Sequence, residues 1–156
     1  MSERRSPATP LPDAAALAAT VATGVLLIDQ VTKLVTAHVG SGLGGMNVPA
    51  RNSEFSLGLA TAPWPAQVAL MAAGLAAAGV VLAIGVRRGL VPDWAAGLIV
   101  GGALSNLLDR ALLGSVRDFL AVGPVIVNLA DLAVVLGVIA ALTAARPVRT
   151  TTEGRR

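Results

Sequence analysis

The chemistry open to this chain rests on a few polar residues set in long apolar runs. Asp29 and Lys33 are the acidic and basic residues of the first apolar run. Asn106, Asp109, Arg110, Arg117, Asp118, Asn128 and Asp131 follow in the last third. An ionisable residue next to hydrocarbon is costly, so its presence points to function. Arg110 can offset one aspartate and leave another to react. Two carboxylates presented from neighbouring elements at one depth share a proton, because like charges so close do not both ionise easily. The ionised member can then activate water as a general base, while the protonated one polarises a scissile carbonyl and supplies a proton. This is aspartic-peptidase chemistry, and it needs neither metal nor cofactor.

Other chemistries lack their parts. The chain has no cysteine, which excludes disulfides and thiolate metal sites. A single histidine, His38, argues against a histidine-based metal centre. Lys33 could pair with Ser41, Ser53 or Ser56, but nothing in the spacing fixes such a dyad. No Gly-x-Ser-x-Gly elbow occurs. Gly44-Gly45-Met46-Asn47-Val48 lacks the Lys-Ser/Thr of a phosphate loop. The net charge is +3, yet most of the basic residues sit at the chain ends and in one short loop. That distribution is no nucleic-acid footprint and suits membrane orientation.

The elements that must hold these residues follow from composition. Of 156 residues, 54% are hydrophobic and 13% charged, whereas a soluble domain carries about 25% charged residues. The reading is an all-α membrane protein: one domain over 14–145 with four transmembrane helices and a small extracytoplasmic β or loop element. Residues 1–13 form a disordered cytoplasmic tail and 146–156 a basic one. The spans are drawn at about 14–39, 66–86, 94–113 and 125–145. The charge-free stretch 14–28 is too short for a hydrocarbon core of about 30 Å, so the first helix must continue through Asp29 and Lys33. Arg4 and Arg5, Arg87 and Arg88, and the C-terminal arginines then fall on one side, which the positive-inside rule makes cytoplasmic. Loops 40–65 and 114–124 face outward. With this topology every polar residue of interest lies near the outer leaflet. Small strands or an interfacial segment are expected in 40–65, with Trp64 as an interfacial anchor before the second span.

Spacing adds detail. Asp29 and Lys33, at i and i+4, share a helix face and can form an ion pair. Asn106, Asp109 and Arg110 share another. Because Asp109 and Arg110 are adjacent they do not pair within the helix, so Arg110 should reach another element or a loop carbonyl, and both read as scaffold. Asn128 and Asp131 lie at i and i+3 in the fourth span. The rival readings are a small ion- or proton-coupled transporter and a non-catalytic binder of lipidated peptides. A transporter usually places its polar site near the midplane, and here the second span and the cytoplasmic halves are clean.

Taken in order, Asp29-Gln30-x-x-Lys33, Gly101-Gly102-Ala103-x-x-Asn106-x-x-Asp109-Arg110, Val116-x-Asp118-Phe119 and Asn128-x-Ala130-Asp131 resemble the signal peptidase II family, the bacterial lipoprotein signal peptidases. The resemblance covers nearly the whole chain outside the tails. It implies an intramembrane aspartic endopeptidase without cofactors, acting on diacylglyceryl prolipoproteins just before the lipidated cysteine. Asp118 and Asp131 would be the catalytic pair. Asn106, Asp109, Arg110 and Asn128 would support it, with Asp29 and Lys33 completing the polar site. The family usually shows Asn-x-Gly-x-x-Phe after the first span. Here Arg51-Asn52-Ser53-Glu54-Phe55 lacks that glycine and puts Phe55 three residues past Asn52. The resemblance would give Asn52 the substrate-side supporting position in this divergent segment. Only 12 residues separate Asp118 from Asp131. Membrane lipids and prolipoproteins are the expected partners, nucleic acid is not, and a monomer is expected.

Overall fold

The computed structural model describes residues 14–39, 50–53 and 62–144. Four helices are found among the described residues: α1 (Ala14–Val39), α2 (Trp64–Arg87), α3 (Asp93–Leu113) and α4 (Leu129–Ala144). The first three are long and apolar enough to cross a membrane, and α4 is a shorter apolar helix. Polarity runs inside-out. The largest fully buried side chains are Lys33, Asn128, Asp29, Asp109 and Ser105. Leucines, valines and isoleucines such as Leu112, Val81 and Leu142 are more than 60% exposed. Water would penalise that arrangement, whereas hydrocarbon favours apolar side chains outside and satisfied polar groups within. The chain is therefore a multi-pass membrane protein.

Helix α3 is the centre. It packs along α1 and α4, and more lightly against α2. Without a hydrophobic drive between helices in lipid, close packing through small residues holds them together. Adjacent Gly101 and Gly102 face opposite neighbours. A Cβ on Gly101 would lie 2.5 Å from the Ala22 carbonyl oxygen of α1, and one on Gly102 would strike the Ala130 carbonyl of α4. Both partner backbones thus approach α3 as closely as a hydrogen side chain permits.

Among the described residues, four short strands lie at one end of the bundle. Strand β1 (Ala50–Asn52) pairs antiparallel with β2 (Val116–Asp118), in the register Ala50 to Asp118 and Asn52 to Val116. Strands β3 (Leu120–Val122) and β4 (Val125–Val127) form a hairpin. β1 meets the expectation of a strand within 40–65; the rest of that segment, apart from residues 50–53 and 62–65, lies outside the described residues, as do both tails. Two expectations are corrected. Residues 114–124 hold two strands rather than a plain loop. The fourth helix also starts later than drawn, because Val125–Val127 is a strand. The cause is β-branched Val125-Ile126-Val127 behind a two-residue turn, in which Gly123 takes the positive φ (59°) that such hairpins require. Hydropathy alone cannot separate this run from the helix that follows.

The glycine contact gives a direct test. Gly101→Ala should destabilise the protein by about 1–3 kcal/mol, the usual cost of overpacking. Gly24→Ala, whose Cβ meets nothing within 4 Å, should leave stability unchanged or slightly raised. Thermal unfolding of the two variants in detergent distinguishes them.

Candidate active site

Local chain geometry brings the polar residues to one place. Helix α3 ends where Gly114 enters the left-handed region at φ 68°, with its N–H on the Arg110 carbonyl. The chain turns back there, so β2 returns past the end of α3. On β2 the side chains alternate. Arg117 faces Asp109 of α3, and Asp118 faces the other way. Asn52, paired in register with Val116, is a diagonal neighbour of Asp118 and donates from Nδ2 to its Oδ2 at 3.2 Å. The β3–β4 hairpin then returns the chain to Asn128, immediately before α4.

Asn128 and Asp131 form a capping box. The Asp131 N–H donates to Asn128 Oδ1 at 2.9 Å, and the Asn128 N–H donates to Asp131 Oδ2 at 3.2 Å. With its oxygen so used, the Asn128 side chain turns its Nδ2 to Asp118 Oδ1 at 2.7 Å and to Asn106 Oδ1 at 3.1 Å. Asn106 in turn donates to Asp131 Oδ1 at 2.8 Å. All four oxygens of Asp118 and Asp131 therefore accept an amide hydrogen, and one residue, Asn128, binds both carboxylates. Asp118 and Asn128 are buried, while Asp131, Asn106 and Asn52 are half-buried.

Beneath the pair lies a buried ionic layer. Lys33 Nζ sits 2.6 Å from Asp29 Oδ2, 3.2 Å from Asp109 Oδ2 and 3.0 Å from Asn106 Oδ1. Its three donors thus have three acceptors. Asp29 also accepts from Ser105 Oγ at 2.7 Å and from the Ala130 N–H in the first turn of α4 at 3.0 Å. Arg117 grips Asp109 with Nη2 at 2.6 Å, Nε at 3.2 Å and its backbone N–H at 3.1 Å, and reaches Gln30 Oε1 at 2.7 Å. The three ion pairs among the described residues fall on Asp29 and Asp109, not on Asp118 or Asp131.

The structure thus brings Asp29, Lys33, Asn52, Asn106, Asp109, Asn128, Asp118 and Asp131 into one connected network. Arg110, whose charge acts on Asp118, donates to Gln67 Oε1 of α2 at 2.6 Å and to the Ser53 carbonyl at 3.1 Å. It reaches another element and a loop carbonyl, while Asp109 takes Lys33 and Arg117. Lys33 and Arg117 are the cations on Asp109, and the aspartate with which the charge of Arg110 interacts is Asp118. Phe55, Ser41 and Ser56 lie outside the described residues. Sequence reasoning gave no role to Gln30, Ser105, Gln67 or Arg117. Gln30 lies inside the Asp29–Lys33 motif and Gln67 is the one amide in an apolar span, which were the available signals. No group of three or more Asp, Glu, His or Cys suited to a metal ion occurs among the described residues.

Removing the buried cation should be severe. Lys33→Met leaves Asp29 and Asp109 short of charge, and breaking a buried pair costs about 3–5 kcal/mol. Lys33→Met/Asp29→Asn should recover part of that loss, read as the thermal midpoint in detergent. Arg110→Ala should likewise lower stability first, through Gln67 and the Ser53 carbonyl.

Comparison with known proteins agrees with this architecture. Two solved structures of bacterial membrane enzymes, determined by the in meso method at 2.3 Å and 1.9 Å resolution, share the fold with TM-scores of 0.68 and 0.60 at 21% identity. They cover 89% and 86% of this chain, and 93% and 94% of their own. The lipoprotein signal peptidase of Rhodopseudomonas palustris is 35% identical over 138 residues, covering 75% of this chain and 84% of that protein. That of Parasynechococcus marenigrum is 34% identical over 131 residues, covering 74% and 79%. The family model described as Signal peptidase (SPase) II matches residues 21–146. On these matches the chain belongs to the signal peptidase II family of lipoprotein signal peptidases.

Proposed function

We propose that Asp118 and Asp131 are the catalytic pair of this lipoprotein signal peptidase. In this reading the enzyme removes the signal peptide from diacylglyceryl-modified prolipoproteins by cutting just before the lipidated cysteine. The observation that carries the assignment is the shared residue: Asn128 donates to Asp118 from its side chain and to Asp131 from its backbone. A water held between the carboxyls would lose a proton to the ionised member as its oxygen attacks the scissile carbonyl carbon. The protonated member would give its proton to the carbonyl oxygen. As the tetrahedral intermediate collapses, the C–N bond breaks, the departing amine takes a proton from one carboxyl, and the other carboxyl recovers a proton from a hydroxyl of the intermediate as the new carbonyl forms, so the pair again holds one proton. Asn52, Asn106 and Asn128 hold the carboxylates in register. Asp29, Lys33, Asp109 and Arg110 fix the elements that bear them.

The same reading sets the enzyme in the cytoplasmic membrane as a monomer among lipids, with both termini in the cytoplasm and the catalytic pair near the outer leaflet. Arg87 and Arg88 support this orientation, since they lie in the turn at the bundle end opposite the strands. A transporter is disfavoured because the buried charge is confined to one end and Gln67 and Gly85 are the buried residues of α2.

The experiment is cleavage of a lipidated lipobox peptide by purified enzyme in detergent, with the unlipidated peptide as control. Asp118→Asn and Asp131→Asn should each lower kcat by at least the roughly 10²–10⁴-fold that general acid–base groups supply, with the thermal midpoint retained. Normal cleavage by either variant would end the assignment of the pair. A well-folded but inactive Arg110→Ala protein would move Arg110 into the catalytic group. Arg117→Lys should keep KM and reduce kcat, because a lysine cannot reproduce the two-pronged grip on Asp109 that holds β2.

A further inference from the structure

At the end of the bundle away from the carboxylates, α1 and α2 both lean on α3 and leave a slot of about 540 Å³ between them. That volume lies in the range of about 300–1,000 Å³ typical of small-ligand sites. Its walls include Ala15 and Ala19 on α1 and Gly79 and Ala83 on α2, and Gly97 of α3 lies on its floor. The floor is rigid: a Cβ on Gly97 would lie 2.6 Å from the Ala18 carbonyl oxygen, so α1 and α3 cannot move closer. The short alanines and glycines of the walls cannot reach across the gap. One cation, Arg87, lines the mouth, and Arg88 follows it at the C-cap of α2. Both are exposed, and neither takes part in an ion pair among the described residues.

We propose that this slot holds one acyl chain of an anionic glycerophospholipid, whose phosphate is met by Arg87 and Arg88. The slot opens sideways between two membrane helices, so its natural occupant is a hydrocarbon chain running along the helix axes. Charge decides which molecule brings that chain. Basic residues beside transmembrane helices attract anionic headgroups. The signal helix of a substrate carries a positively charged n-region, which two arginines at the mouth would repel. The site is independent of Asp118 and Asp131, and its occupancy does not rest on their role.

Native mass spectrometry of the purified protein, titrated with phosphatidylglycerol or with phosphatidylcholine of the same acyl chains, tests this. One phosphatidylglycerol should bind in preference to phosphatidylcholine, by about fivefold for each arginine. Arg87→Gln/Arg88→Gln should erase the preference. Gly79→Leu should remove the bound lipid altogether, because nothing lies within 4 Å of a Cβ there and the new side chain would fill the slot. Both variants should cleave lipidated peptide at the wild-type rate. Equal binding of the two lipids, or undiminished binding to Gly79→Leu, would overturn the proposal. A raised KM in Gly79→Leu for peptides with a full signal helix would also overturn it, by assigning the slot to substrate.

Discussion

A buried ammonium group sets the terms for the polar half of this protein. Lys33 lies among helices with no measurable exposure, and a cation in such a place must have every proton matched. Its acceptors come from α1 and α3: Asp29, Asp109 and Asn106. The consequence reaches the reaction centre through one side chain. Lysine only donates, so Asn106 must present its oxygen to Lys33, and its amide nitrogen is left pointing at Asp131. The charges also come out even. Asp29 and Asp109 are balanced by Lys33 and Arg117. Asp118 and Asp131 are held by amides, with the charge of Arg110 acting on Asp118 and that of Lys33 on Asp131.

The N-terminus of α4 unites stability with the proposed chemistry. A helix end leaves backbone N–H groups without partners, and hydrocarbon cannot supply them. Here Asp29 takes the N–H of Ala130 and Asn128 takes that of Asp131. The positive end of the helix dipole also favours a carboxylate in the first turn, where Asp131 sits. The groups that satisfy the helix end are thus the ones that aim Asp131. A similar economy holds at β2. Arg117 ties the strand to α3 and α1, and alternation along the strand then gives Asp118 the opposite face.

The strands do work that no transmembrane helix could do. A helix entering from the surface spaces its polar groups along one stripe, whereas a short sheet can place a residue from a distant segment beside one on α3's return path. Asn52 arrives in this way. Its sequence surroundings depart from the family pattern, yet pairing of β1 with β2 puts its amide on Asp118. A pattern of residues measures spacing along the chain, while the pairing register measures spacing across it.

The sequence alone determined the helical membrane fold, the depth shared by the polar residues and the candidates for chemistry. These depend on hydropathy over about 20 residues and on residue type, both of which are local. It also implied that Asp109 and Arg110 face different partners, because adjacent residues on a helix do. Which cation meets which carboxylate was decided only in three dimensions. Arg117 rather than Arg110 closes on Asp109, Gln30 and Ser105 join the buried network, and Val125–Val127 leaves the helix for a hairpin. The first and last of these turn on where a chain reversal at Gly114 or Gly123 sends the following residues, and the second on the packing of α1 against α3. Hydrogen bonds act over about 3 Å, so the partner of a buried polar group is set by tertiary geometry and not by its neighbours in sequence.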